Sequence, residues 1–214
     1  SAPGPSSTPG SRSRRPDAGR RRAEGVAVIV GVLLAAGAGS RFGGEKLLAP
    51  LPGGAVASLA ARALVPAVDR AVAVVRAGDA ALARLLEADG LAVLPFDRAE
   101  RGMGASLAFG VASEPDADGW IVALADMPFI RPDTAKALAR ELRAGASIVV
   151  PVSNGRRGHP VGFAREFLRE LVRLDGDEGG RSILRRHATQ VVYLQCNDDG
   201  VTRDVDRPED LLPS

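Results

Sequence analysis

A loop of very small residues follows an apolar run near the start of the chain, and two cations lie close behind it. The loop spans residues 35–40 and reads AAGAGS. Because these residues have almost no side chain, a ligand can approach the backbone closely, and backbone N–H groups can point at an anion. Arg41 and Lys46 add positive charge beside the loop. These features predict a cradle that binds phosphate groups.

Three other patterns compete for the same stretch. The dinucleotide-binding fingerprint G-x-G-x-x-G is not met, because Gly37, Gly39 and Gly43 give G-x-G-x-x-x-G. A Walker loop needs a lysine directly after its last glycine and then Ser or Thr, but residues 43–47 read GGEKL. A secretory signal peptide would use the arginines at 20–22, the apolar run and a small-residue cleavage zone. Cleavage of such a signal peptide would remove the apolar strand and half of the loop, and we disfavour this interpretation for that reason.

Two polar side chains lie where a nucleotide site would need them. Asp126 directly follows an apolar segment, residues 120–124, and ligands of open α/β sheets bind beyond the carboxyl ends of the strands. A carboxylate there can hold Mg²⁺ against a triphosphate, although aspartate is also a common turn residue. Ser106 lies near the predicted start of a helix. Its hydroxyl and the free N–H groups of the helix start can meet a base or ribose there, or Ser106 is an ordinary first-turn serine.

The hydrophobic pattern alternates between strands and helices along the chain. Strands are predicted at 26–34, 70–75, 91–94, 120–124, 147–150 and 190–195. Helices are predicted at 55–64, 79–88, 104–112, 133–143, 164–174 and 181–187, with Asp79 and Asp133 as N-caps. A segment rich in Gly, Asn and Arg, residues 151–160, breaks the alternation and predicts a hairpin. The pattern therefore predicts an α/β fold of three layers, with a mostly parallel but mixed central sheet.

The basic charge of the chain is concentrated at its start. Residues 1–25 hold six arginines and two acidic residues, a net charge of +4. Of 28 basic and 26 acidic residues, this leaves 22 and 24 for residues 26–214, a net charge of −2. We predict a disordered basic tail at 1–25 and one folded domain at 26–214. The tail has no aromatic residues for base stacking, which disfavours nucleic acid as a partner.

Cysteine and histidine are scarce. The single Cys196 excludes an internal disulfide and fits a reducing compartment, so we expect a cytoplasmic protein. One Cys and two His, at 159 and 187, lack the spacing of a zinc site, and no motif around Cys196 marks a thiol nucleophile. No apolar run approaches the roughly 20 residues of a membrane span, which predicts no membrane contact.

Five motifs, in order along the chain, resemble one enzyme superfamily. Residues 34–46, LAAGAGSRFGGEK, resemble the signature L-A-[AG]-G-x-[GS]-x-R-[FM]-G-x-x-K of nucleotidyltransferases that activate small phosphorylated molecules with a nucleoside triphosphate. The other four are GMGASL at 102–107, RGHPV at 157–161, GDEGGR at 176–181 and DVDRPEDL at 204–211. The GMGASL, RGHPV and GDEGGR motifs are most similar to the molybdenum cofactor cytidylyltransferase branch of this superfamily. The last resembles the closing D-x-D-x-P-E-D-L, with Arg207 in place of the more usual Thr. The resemblance covers residues 27–212.

The resemblance implies a Rossmann-like nucleotidyltransferase fold and a Mg²⁺-dependent reaction. CMP from CTP would be joined to the terminal phosphate of molybdopterin, with release of pyrophosphate, and a molybdoenzyme or its chaperone would receive the product. The implied catalytic residues are Arg41, Lys46 and Asp126, and the implied metal ligands are Asp126 and Asp206. Asp206 is preferred over Asp204 because it directly precedes the Arg207-Pro208 turn. The implied nucleotide-binding residues are Leu34, Ala35, Ala36, Gly37, Gly39, Ser40, Arg41, Lys46, Ser106 and Asp126, and the implied acceptor-binding residues are Arg157, Gly158, His159, Asp177 and Arg181.

Several alternatives stay open at the level of sequence. The chain could be a guanylyltransferase, or another nucleotidyltransferase with a different small phosphorylated acceptor. Guanylyltransferase relatives usually have Gly-Gly where this chain has Ala36-Gly37, and the methyl group of Ala36 would narrow the base site in favour of a pyrimidine. A protein that holds cofactor or nucleotide without turnover is a further alternative, but such a carrier has no need of the implied metal pair. Asp177 and Arg181, four residues apart, could also be a simple ion pair at a helix start.

Overall fold

The computed structural model describes residues 26–37 and 45–211, so the predicted tail at 1–25 lies outside it. The strands are β1 (Ile29–Ala35), β2 (Pro50–Leu51), β3 (Gly54–Ala55), β4 (Arg70–Arg76), β5 (Ala92–Phe96), β6 (Gly119–Leu124), β7 (Ile148–Ser153), β8 (Arg156–Arg157), β9 (Val161–Ala164) and β10 (Val191–Gln195). The helices are α1 (Val56–Leu64), α2 (Ala80–Ala88), α3 (Met103–Ala112), α4 (Pro132–Arg143), α5 (Leu168–Leu171) and α6 (Arg181–Arg186). No helix within the described ranges combines the length and apolar character needed to cross a bilayer.

β1 lies in the middle of the main sheet, as its apolar sequence predicts. All seven of its residues are buried, which fits a strand covered on both faces. It pairs in parallel with β4 and β6, so that Leu34 lies opposite Val74 on one side and Leu124 on the other. The strand order is β10-β7-β9-β6-β1-β4-β5, and β8 pairs with β7. The carboxyl ends of β1, β4 and β6 therefore meet at one edge of the sheet.

The sheet is mixed, and the predicted hairpin is the cause. β7 turns back into β8, which places Val152 opposite Arg157 in antiparallel pairing. The chain then enters β9, which runs antiparallel to both of its neighbours, β6 and β7. The remaining pairs of the main sheet are parallel. The predicted mostly parallel, mixed sheet is confirmed.

Helices cover both faces of the sheet and give the predicted three layers. Side chains of a strand point alternately to opposite faces. Ile29 and Leu33 of β1 pack in a cluster with buried residues of α1, α2 and α4. Val30 and Val32 pack in a second cluster with buried residues of α3, α5 and α6. The α/β class follows from this burial of one central strand on both faces.

Two local predictions were wrong. Asp133 is not the N-cap of α4, because Pro132 takes the first helical position and leaves Asp133 in the first turn, where a carboxylate is still favourable. The predicted helix at 164–174 is instead a 3₁₀ turn, Arg165–Phe167, followed by the short α5. Arg165 is tied to carbonyl oxygens before β6 and Phe167 is buried, which holds the start of this segment against the sheet. The predicted cap at Asp79 is confirmed, since its Oδ1 accepts from the amide of Leu82 at 3.1 Å.

Candidate active site

The carboxyl edge of the parallel strands brings distant segments together. The amide of Ala125, just after β6, donates to the carbonyl of Leu34 at 3.0 Å. The next residue, Asp126, accepts at its backbone carbonyl from the amide of Val205 at 2.8 Å. The sheet thus fixes the loop after β6 beside the end of β1, and a backbone hydrogen bond adds the C-terminal segment. This accounts for the position of a carboxylate beside the end of β1.

Lys46 lies between the two predicted metal ligands. Its Nζ donates to Asp126 Oδ2 at 2.9 Å and to Asp206 Oδ1 at 3.2 Å. The lysine side chain is only 10% exposed, against 26% for Asp126 and 44% for Asp206. Burial alone would lower the pKa of Lys46, but the hydrogen bonds and charges of Asp126 and Asp206 outweigh it and raise this pKa above its ordinary value. Lys46 is therefore a fully charged ammonium at neutral pH.

Three carboxylates converge beside this lysine and form a group suited to a metal ion. One oxygen each of Asp126, Asp204 and Asp206 lies within 4.8 Å of the others. Oxygen ligands of this kind suit Mg²⁺ or Mn²⁺, so the residues present fit the predicted ion. We call Lys46 and these three aspartates the acid–lysine cluster. Asp204 belongs to this cluster in addition to the predicted Asp206. The backbone of Val205 is bound to Asp126, so the aspartates on both sides of Val205 lie near Asp126.

Asp210 holds the loop that carries the last two aspartates. Its Oδ2 accepts from the amides of Asp206 at 2.9 Å and Arg207 at 2.7 Å. These backbone hydrogen bonds lower the pKa of Asp210, so it stays ionised at neutral pH. The closing motif thus contains residues that line the site and one residue that shapes the turn.

A cleft of about 850 Å³ opens from the acid–lysine cluster along the ends of β1 and β4. Of the predicted site residues, its lining includes Leu34, Ala35, Ala36, Gly37, Lys46, Ser106, Asp126 and Asp177. Gly39, Ser40 and Arg41 lie outside the described residues. The structure therefore gathers all seven predicted nucleotide-binding residues that it describes into one cavity, together with Asp177, which was predicted on the acceptor side.

The start of α3 forms one wall of this cleft, and glycine makes the wall possible. Gly102 has φ +99°, and a Cβ at this position would lie 2.6 Å from the carbonyl group of Gly176. The segment before α6 therefore packs directly against the start of α3. Ser106 lines the cleft, and its amide and its Oγ both donate to the carbonyl of Gly102, at 3.3 and 3.4 Å. A contact of this part of α3 with a base or ribose stays a prediction.

The predicted acceptor-binding residues are not gathered in the same way. Arg157 is exposed, and its guanidinium lies 4.5 Å from the ring centre of Tyr193. The amide of Gly158 donates to Pro151, and that of His159 donates to Val201 at 2.8 Å, so this motif is partly a structural turn. No salt bridge joins Asp177 to Arg181 in the part of the chain that the structure describes, so the simple ion pair is wrong.

His159 has a buried ring nitrogen. Its Nδ1 has no hydrogen-bond partner among the described residues. Burial of the ring, followed by the positive charge of Arg181, lowers the pKa of His159, and the carboxylate of Asp126 opposes this only in part. The imidazole is therefore neutral at physiological pH. The lowered pKa also makes the ring a weaker base than an ordinary histidine, and the expectation that it hydrogen-bonds the acceptor or fixes the loop stays a prediction.

Arg76 is a cleft residue that the motifs did not reveal. It is the last residue of β4, and its Nη2 donates to the carbonyl of Ala36 at 3.4 Å. The rule that ligands bind beyond the carboxyl ends of parallel strands would have found it, because β4 is the neighbour of β1. Asp204 was considered from the sequence but not chosen.

Comparisons with known proteins point to one domain family. Residues 31–191 match the MobA-like NTP transferase domain. The chain is 32% identical to the purine catabolism protein PucB of Bacillus subtilis over 195 residues, covering 85% of this chain and 93% of PucB. It is also 32% identical to nicotine blue oxidoreductase of Paenarthrobacter nicotinovorans over 193 residues, covering 86% and 94%.

Solved structures show the same fold. The crystal structure of Rv0371c from Mycobacterium tuberculosis superposes with a TM-score of 0.76 at 32% identity, covering 87% of this chain and 96% of that one. A complex of Rv0371c with manganese gives a TM-score of 0.72 at 28% identity, covering 86% and 96%. The domain match and the full-length relatives lead to one conclusion: the chain belongs to the MobA-like NTP transferase family and is a nucleotidyltransferase.

Proposed function

We propose that this nucleotidyltransferase is a cytidylyltransferase that uses CTP, Mg²⁺ and the terminal phosphate of molybdopterin. The observation that carries the proposal is the acid–lysine cluster at the mouth of the cleft. Lys46 contacts Asp126 and Asp206 at 2.9 and 3.2 Å. Asp204 is the third aspartate whose carboxylate lies close to these two. This arrangement suits a reaction between two phosphates, because it offers positive charge to the triphosphate and oxygen ligands to a metal.

The reaction needs positioning and charge neutralisation more than proton transfer. An oxygen of the acceptor phosphate attacks the α-phosphorus of CTP, the bond between the α- and β-phosphates breaks, and pyrophosphate leaves with the electron pair. The nucleophile is already an anion, so no strong general base is required. Catalysis of this kind depends on fixed charges around the transferred group. Lys46 and the backbone of the small-residue loop, with Arg41 beside it, supply them in this proposal.

Asp126, Asp204 and Asp206 would hold the metal ion. When bound, Mg²⁺ neutralises charge on the phosphates and polarises the phosphorus that is attacked. Lys46 donates to two of these aspartates. Its ammonium therefore compensates their negative charge and stays within reach of a bound triphosphate. A redox reaction, as in the name of one relative, would leave this set of groups without a role.

The base and the acceptor are supported by sequence motifs. The GMGASL, RGHPV and GDEGGR segments resemble the molybdenum cofactor cytidylyltransferase branch. In the structure, Gly102 and Ser106 of the first motif and Asp177 of the third line the nucleotide cleft. A guanylyltransferase would share the acid–lysine cluster, so the choice between CTP and GTP requires an experiment.

The test is pyrophosphate release from the full chain with Mg²⁺, with and without molybdopterin, using CTP, GTP, UTP and ATP in turn. We expect release with CTP only when molybdopterin is present, and mass spectrometry should detect the pterin linked to CMP. EDTA should abolish release, and added Mg²⁺ should restore it. The Ala36→Gly variant should shift preference from CTP toward GTP if the methyl group of Ala36 narrows the base site.

Three outcomes would change the proposal. Release with GTP alone would keep the mechanism but assign a guanylyltransferase. Release of pyrophosphate with CTP and a different small phosphorylated compound would replace the acceptor. Nucleotide-dependent thermal stabilisation without any release would favour a protein that binds nucleotide without turnover.

A further inference from the structure

We propose that Arg76 is a specificity-determining residue that donates hydrogen bonds to the base of the bound nucleotide. This inference rests on the proposed function, because it concerns the nucleotide of the same cleft. Arg76 ends β4 and lines the cleft, and its Nη2 donates to the backbone carbonyl of Ala36 at 3.4 Å. The guanidinium is thereby held at the end of β1. Its other N–H groups have no partner among the described residues, so they can donate to a ligand.

The position of Arg76 in the sheet places it away from the phosphate end of the site. Asp126 lies just beyond β6, which is one neighbour of β1, whereas Arg76 lies at the end of β4, the other neighbour. Adjacent strands are about 4.8 Å apart, so the ends of β6 and β4 are separated by roughly 10 Å. A nucleotide whose phosphates lie at the acid–lysine cluster can reach Arg76 with its base.

The charges around Arg76 also favour a base over a phosphate. Asp79 and Glu100 also line the cleft, and the amide of Asp79 donates to the carbonyl of Arg76 at 3.1 Å. Together with Arg76, these two carboxylates give this group of lining residues a net negative charge, which repels a triphosphate. Asp79 already accepts from the amide of Leu82 at α2, so its side chain is fixed in place. A neutral ring with both donors and acceptors suits this mixture of charges.

The edge of cytosine fits these groups better than the edge of uracil. Cytosine offers two acceptors, O2 and N3, beside an amino donor at C4. The planar fork of an arginine donates to adjacent acceptors, and a carboxylate such as Glu100 accepts from the amino group. Uracil carries a hydrogen on N3 and an oxygen at C4, which face the guanidinium and the carboxylate with the wrong polarity. Arg76 should therefore favour CTP over UTP.

The experiment compares binding of four nucleoside triphosphates and of inorganic tripolyphosphate to the full chain by titration calorimetry with Mg²⁺ and no acceptor. Tripolyphosphate carries the phosphates without a base. For Arg76→Gln we expect affinity for CTP to fall about 10- to 100-fold and the preference of CTP over UTP to fall by a similar factor, while tripolyphosphate affinity stays the same. Lys46→Ala should weaken CTP and tripolyphosphate together. Arg84→Gln, an exposed arginine on α2 outside the cleft lining, is the matched control and should bind like the wild type.

Two results would overturn the inference. If Arg76→Gln weakened tripolyphosphate as much as CTP, Arg76 would be a phosphate contact. If it changed neither affinity nor preference, the base would lie elsewhere. The wild-type titration tests the proposed function separately, because a preference for GTP would reject the cytidylyltransferase. Even then, a loss of that preference in Arg76→Gln would still assign Arg76 to the base. A wild-type chain that binds tripolyphosphate but no nucleotide would reject both.

Discussion

The acid–lysine cluster and the loop around His159 were both predicted to bind substrate, yet the structure builds them differently. In the cluster, Lys46 and three aspartates from separate segments approach one another within hydrogen-bond or metal-ligand distances. In the loop, Arg157 stacks on Tyr193, while His159 has a buried ring nitrogen without a partner among the described residues. The first region has its charged groups assembled before any ligand binds, and the second does not.

The difference follows from the elements that carry each region. Asp126 directly follows a central parallel strand, and a backbone hydrogen bond from Val205 ties the segment of Asp204 and Asp206 to it. The residues around His159 lie in the connection between the hairpin β7–β8 and β9, at the antiparallel part of the sheet. A site built on strand ends inherits the rigidity of the sheet, which is what catalysis by fixed charges requires. The loop around His159 is built from connections between strands, and its contact with an acceptor stays a prediction.

The largest expected effect comes from removing the ammonium at the centre of the cluster. Lys46→Ala should lower the turnover number for pyrophosphate release about 100- to 1,000-fold, because a fixed positive charge at the transferred phosphates is lost. Lys136→Ala removes the only other lysine of the chain, an exposed residue of α4, and should keep wild-type turnover. Steady-state kinetics and thermal unfolding of both variants provide the measurement. Wild-type turnover in Lys46→Ala would show that the cluster is not the phosphate site.

The same variant should bind metal more tightly when no nucleotide is present. The ammonium of Lys46 contacts two of the carboxylates that would hold the ion, so it opposes binding of a second positive charge. We expect the Kd for Mn²⁺, measured by electron paramagnetic resonance, to fall severalfold in Lys46→Ala. Asp126→Asn should raise this Kd more than tenfold, and Asp116→Asn, at an exposed position away from the cluster, should leave it unchanged. Unchanged Mn²⁺ binding in Asp126→Asn would exclude a metal site at the cluster.

A pair of glycine variants tests how the cleft wall is held. Gly102 and Gly145 both have φ +99°, but a Cβ would meet the carbonyl group of Gly176 at 2.6 Å in the first case and nothing within 4 Å in the second. Each substitution by alanine should cost about 1 kcal/mol of unfolding free energy for the backbone strain. Gly102→Ala should cost roughly 1–3 kcal/mol more, because it also forces the start of α3 away from the segment before α6. Equal stabilities of the two variants, measured by urea unfolding, would show that this packing can relax freely.

The sequence predicted the layers and the mixed sheet, and it pointed to residues that the structure gathers in one cleft, because these features depend on local patterns. An apolar run such as β1, a small-residue loop and an aspartate after a strand are all visible in the sequence. It did not reveal Arg76, which carries no motif and becomes informative only when β4 pairs with β1. It also grouped Asp177 with the predicted acceptor residues, and only the close packing at Gly102 reveals that Asp177 lines the same cleft as Lys46. Long-range packing decides such positions, and spacing along the chain does not encode it.

The smallest expected effect is a pH dependence of stability from His159, which asks whether its loop is structural. Burial, with the charge of Arg181, lowers the pKa of His159 below its ordinary value of 6.5. Below pH 6.5 the unfolded chain therefore binds a proton that the folded chain resists, so this contribution to stability is present above pH 6.5 and is lost as the pH falls. Between pH 7 and pH 5.5 we expect a loss of about 1 kcal/mol in the wild type. The loss should be absent in His159→Gln and retained in His187→Gln, as followed by urea unfolding at each pH. Equal slopes in all three proteins would mean that the ring is free to take up a proton, and the loop would then be a mobile ligand-binding segment and not a fixed part of the fold.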